Sequence, residues 1–157
     1  MTDPALADAL EQYRAGLEAE IAVLRQLDDV AARQRGVTEA RDFDALGAVS
    51  DERERLMRTL VTLEQGLKEV RGHLHRHQHS VLGLTDYQTV LALRQTAAGL
   101  VSRILATDEE SMHALADAEL ARRAAVASLE HGEATLAAYR RVLTPAVTHA
   151  ALVDRRG

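Results

Sequence analysis

Cysteine is absent from the chain, which excludes a disulfide, a thiolate nucleophile and cysteine-ligated zinc. Tryptophan is absent too, aromatic residues make up 3%, and there are two prolines. Such a composition holds little material for a β core. The 46% of hydrophobic residues are mostly Ala, Leu and Val, the palette of helices in contact. No run approaches the ~18 uncharged apolar residues of a membrane span, and the opening "MTDPALADAL" has neither a basic n-region nor an apolar h-region. A cytoplasmic protein with no membrane insertion is expected. Net charge is −5, with both signs interspersed. No nucleic-acid partner is indicated, because phosphate neutralisation needs a clustered basic face.

What is present is helical punctuation. Asp3 and Pro4 stand as an N-cap and first helical residue, and Gly36 follows the last periodic residues, which sets a first helix at about 4–35. Its seam is Leu6, Leu10, Tyr13, Leu17, Glu20, Leu24, Leu27 and Ala31, a heptad with one acidic member. A second helix at about 43–82 carries Leu46, Val49, Arg53, Leu56, Leu60, Leu63, Leu67, Val70, Leu74, His77 and Val81. The short connection, about 36–41, makes the pair antiparallel. Thr85 and Gln88 stand at capping-box spacing and open a third helix at about 86–143, leaving a tail at 144–157. Val101, Leu105, Met112 and Leu115 form one stripe on it, and Ala118, Ala125, Leu129, Leu136, Tyr139 and Leu143 a second. The expected fold is all-α: a single helical domain, 1–157, made of a long antiparallel hairpin and a long third helix in a coiled-coil-like bundle. At ~1.5 Å per residue the third helix outruns the hairpin, so part of its apolar stripe has no partner within the chain. A break near Gly99 or Asp108 would instead fold its halves back as a four-helix bundle.

The run "GHLHRHQHS" places His73, His75, His77 and His79 at alternate positions. On a strand all four would share one face. The heptad through Leu67, Leu74 and Val81 puts them on a helix, where side chains two apart diverge by about 200°. They split into two i, i+4 pairs, short of the three or four ligands a metal site needs. The register places His77 in the seam, with His73 flanking it and His75 and His79 in solvent. Glu110 and His113 form one E-x-x-H where di-iron bundles need two. No G-x-S-x-G and no glycine-rich phosphate loop occurs. Glu20 and Arg53, both in seams, read as a register-setting ion pair rather than an acid and base. The chain is thus expected to be no enzyme, with no catalytic residue, metal or cofactor.

"YRAGLEAEIAVLRQLDDV" followed by "ARDFDALGAVSDERERLMRTLVTLEQGL" resembles the flagellar export chaperones of the FlgN type, through Leu17, Glu20 and Leu24, then Asp42, Leu46, Glu52, Arg53, Leu56, Leu60, Leu63 and Glu64. Ile104, Leu105, Asp108, Leu129, Gly132 and Tyr139 are similar to that family's late helix, and "DRRG" to its ending. The histidine run and the Ala-rich stretch 114–127 do not belong to the pattern. The resemblance implies a cytoplasmic chaperone that binds the C-terminal helical regions of hook-associated proteins and delivers them to the type III export machinery. It also implies a contact surface on the C-terminal helix, for which the matching anchors are Leu129, Gly132, Leu136 and Tyr139. The apolar stripe itself adds Ala125 and Leu143. The alternative reading is a coiled-coil adaptor or structural protein that homodimerises through its third helix.

Overall fold

The computed structural model describes the backbone of residues 3–153 and the side chains from 3 to 140, those of 135 and 139 excepted. Four helices follow in order: α1 (Pro4–Glu39), α2 (Phe43–Arg76), α3 (Gln78–Val81) and α4 (Tyr87–Val153). By internal contact the chain divides into two units, Met1–Leu115 and Ala116–Gly157. The all-α class and the hairpin are as the heptads require.

In the first unit α1 is the central helix. Every member of its predicted seam is buried, and Ile21, Val23 and Val30 beside that seam are buried with it. The apolar arc is therefore wide enough for two neighbours, α2 on one side and the first part of α4 on the other. Fully burying one such aliphatic side chain is worth roughly 1.5–3 kcal/mol. Two layers result. One joins Leu6, Leu10, Tyr13 and Leu17 to Leu67, Leu74, Val81 and Val90. The other joins Ile21, Leu24, Leu27 and Ala31 to Leu100 and Ile104, with Leu56, Leu60 and Leu63 of α2 packed against it. Gly16 allows α1 and α2 to close up, since a Cβ there would sit inside the Leu67 side chain.

Polar ties fix the directions. Arg33 donates to Glu52 at 2.8 Å, tying α1 to α2 beside their turn. Arg103 donates to Asp28 and Arg35 donates to Glu110, so α4 runs parallel to α1. One guanidinium joins all three helices: Arg53 donates to both Asp108 oxygens, at 2.6 and 2.5 Å, and to Gln34 at 2.8 Å.

Several predicted boundaries move. Asp3 caps α1 as expected, its carboxylate accepting from the Ala5 N–H. Gly36 does not end the helix, which continues to Glu39. Arg41 takes the left-handed conformation, φ 57°, instead. The Arg41 N–H then donates to the Thr38 carbonyl and the Asp42 N–H to the Val37 carbonyl, the Schellman pattern usually closed by glycine. Asp42 caps α2 by accepting from the Ala45 N–H. α2 stops at Arg76 rather than near 82, because His77 leaves helical geometry at φ −111°, ψ 27°. His77 consequently lies exposed, its Nδ1 3.0 Å from the His73 carbonyl, and not in the seam. Among the described residues no hydrogen bond joins Thr85 to Gln88, and α4 starts at Tyr87. It passes Gly99 and Asp108 unbroken and is helical to Val153 rather than 143. Proline at 145 removes one i→i−4 bond without ending the element.

The seam that α4 presents to α1 differs from the stripe read in the sequence. Val90, Leu100, Ile104 and Ser111 are buried, with Leu93 and Ala97 half-buried between them. Val101, Leu105 and Met112 lie one position off this seam and are exposed.

Candidate functional site

The surface predicted to meet a partner falls in the second unit. Ala125 and Gly132 are exposed there, Leu129 is 70% exposed and Leu136 is 58% exposed. The side chains of Tyr139 and Leu143 lie outside the described residues. A methyl group placed at Gly132 would meet nothing within 4 Å among the described residues, so no packing among them demands glycine at that position. Leu120 and Val126 add exposed apolar surface that the heptad reading did not single out. Val126 flanks the stripe, next to Ala125, while Leu120 stands about 200° round the helix from Ala118, on the face the heptad reading took for solvent.

One charge cluster in this unit is paired locally. Glu119 accepts from Arg122 at 2.9 Å and from Arg123 at 3.0 Å, and these hydrogen bonds hold its carboxyl well below the ordinary range. These side chains are exposed, and ion pairs of this kind contribute little to stability. The described part of the segment presents aliphatic area flanked by solvated charge.

The chemistry-bearing residues in the first unit are assembled differently from the sequence reading. Glu20 does not meet Arg53. The turn at residues 40–42 sets the register so that Arg53 lies beside Gln34 and reaches Asp108 of α4, while Glu20 lies level with Glu64. Glu20 is 4% exposed, and its Oε1 is buried without a hydrogen-bond partner. Burial, and then the hydrogen bond and charge of Glu64, push its carboxyl up to about 7. Glu64 is shifted the other way, first by its hydrogen bond with Glu20 and also by Arg71, which donates to both its oxygens at 3.0 and 2.9 Å. Two facing carboxyls can share a hydrogen bond only if one carries a proton. With Glu20 raised and Glu64 lowered, a proton shared by the pair below about pH 7 belongs on Glu20, with Glu64 accepting. The Arg71 guanidinium in turn lies 5.9 Å from the centre of the Tyr13 ring.

The histidines do not converge. His75, His77 and His79 are exposed, and only His73 and His77 come together, with ring centres 4.7 Å apart. Among the described residues no group of three or more His, Asp or Glu could hold a metal ion. Glu110 of the E-x-x-H is engaged by Arg35 at 2.6 Å, and His113 lies 3.9 Å from Glu109 on the outside of α4. Among the described residues no helix is long and apolar enough to cross a membrane. No protein-family model, no curated protein and no solved structure matches the chain.

Proposed function

We propose that this chain is a non-enzymatic chaperone of flagellar export that acts in the cytoplasm. It holds the C-terminal helical regions of hook-associated proteins apart and presents them to the type III export machinery. The observation that supports this reading is the exposure of Leu129 and Leu136 on either side of Gly132. Apolar anchors at i, i+3, i+4 and i+7 are how one amphipathic helix recognises another. Gly132 lets a partner backbone come close, and the ion-paired Arg122 and Glu119 keep the flank of the surface solvated.

Co-expression with a hook-associated protein tests the reading. The complex is expected to co-purify and to be lost on Leu136→Asp while helicity by circular dichroism is retained. A tight homodimer that buries Leu129 and Leu136 and captures no hook-associated protein would replace the chaperone with the adaptor reading.

A further inference from the structure

α2 and α4 both lean on α1, and where they diverge from each other the first unit has an open cavity of about 480 Å³. Its base is apolar, made by Leu10 of α1, Leu74 of α2 and Val81 and Val90 beyond it, all of them buried. One wall is α2, where Gly72 supplies no side chain to fill the space, and the facing wall is the start of α4. The phenols of Tyr13 and Tyr87 also border it.

The charges around this base all have one sign. Lys68 and Arg71 line it from α2 and Arg94 lines it from α4, and no Asp or Glu does so. Arg71 is already bound to Glu64 at 2.9 Å. Lys68 and Arg94 make no ion pair among the described residues. Two cations without counter-anions face each other across an apolar base, inside the roughly 300–1,000 Å³ range of small-ligand sites. An organic cation would be repelled, and an inorganic anion would leave the aliphatic base wet.

We propose that this cavity binds a small amphipathic carboxylate. Its apolar chain lies on Leu10, Leu74 and Val90, and its head is held between Lys68 and Arg94. The Gly72 gap admits the chain, and the Tyr13 and Tyr87 hydroxyls are available to the head as further donors. The site belongs to the first unit and does not rest on the export reading.

Calorimetric titration of the full chain with octanoate, octylammonium and 1-octanol tests it, with amide chemical shifts read in parallel. Octanoate is expected to bind saturably, shifting the amides of Gly72, Val90 and Arg94, and octylammonium is expected not to bind. Lys68→Gln with Arg94→Gln, both at exposed positions, is expected to weaken octanoate about tenfold with the melting temperature unchanged, as the loss of charge-assisted contacts predicts. Absence of octanoate binding overturns the proposal. So does equally tight binding of 1-octanol or octylammonium, undiminished affinity in the double variant, or shifts confined to residues outside the cavity.

Discussion

α1 and the segment 116–138 are built from the same aliphatic residues and meet opposite fates. In α1 the whole seam from Leu6 to Ala31 is buried. Among the described residues of 116–138 none is buried, and Leu120, Leu129 and Leu136 are more than half exposed. Helix propensity does not separate them, since both are rich in Ala, Leu, Glu and Arg. The difference lies in company: α1 has α2 and the start of α4 against its two flanks. An apolar stripe is a core only where another stripe faces it. Without one, the same spacing leaves its aliphatic side chains in solvent.

The largest test of that contrast is a matched pair of truncations. Leu27 is 2% exposed within the layer that joins α1 to Leu100 and Ile104. Leu27→Ala is expected to lower unfolding stability by about 2–5 kcal/mol, the cost of lost burial plus the cavity left behind. Leu129→Ala is expected to stay within about 0.5 kcal/mol. Chemical denaturation of both variants checks this, and equal losses would abolish the distinction between the two regions.

A second test uses pH, which should act on the bundle and spare the segment. Glu20 sits near 7 when folded, above its ordinary 4.5. Between those limits the folded chain holds a proton that the unfolded chain has released, so stability falls as pH rises. The contribution is complete below about 4.5 and gone once pH passes 7, when a second carboxylate would have to lie buried against Glu64. Arg71 faces the pair from α2, and α4 contributes Leu93 and Ala97 to the layer just beyond. Glu64 has a lowered value, so its own contribution is present in neutral solution and lost in acid. The melting temperature of the bundle is expected to fall between about pH 5.5 and 7.5, by an amount corresponding to roughly 1–3 kcal/mol for an uncompensated buried polar group. Glu20→Gln keeps a neutral donor for Glu64 and should flatten the profile. A wild-type profile already flat across that range would mean that Glu20 is solvated.

The α1 seam was legible residue by residue, because a heptad with one acidic member has one way to face inward. The α2 seam was legible as far as Leu74. It failed at His77, since no glycine or proline announces the break there and the heptad runs on through the histidines. Glu20 was rightly placed in the core and wrongly paired. Partner choice across a hairpin depends on where the turn falls, and Gly36 drew the turn earlier than the left-handed Arg41 puts it. On α4 the stripe at Val101, Leu105 and Met112 drew attention from Val90, Leu93, Ala97, Leu100 and Ile104, an equally regular series one position away that carries the packing. The exposure of Leu129 and Leu136 was legible because the third helix has more apolar positions than the hairpin has faces.

The smallest test sharpens the contrast from its turn. Arg41 holds φ 57° in a conformation that costs a side-chain-bearing residue roughly 1–2 kcal/mol and costs glycine none. Among the described residues its side chain makes no hydrogen bond or ion pair that the change would remove. Arg41→Gly also loosens the unfolded chain, which offsets part of the gain. A net stabilisation of about 0.5–1 kcal/mol is expected. The turn joins α1 to α2, so the gain should appear as slower amide exchange in Leu24 to Ala31 and in Leu56 to Leu67. Exchange at residues 120–134 should not change, because the turn contributes no burial there. Slower exchange in both regions would show that the exposed segment is energetically coupled to the bundle. Faster exchange in α1 and α2 would show that the turn does not hold Arg41 in the left-handed conformation.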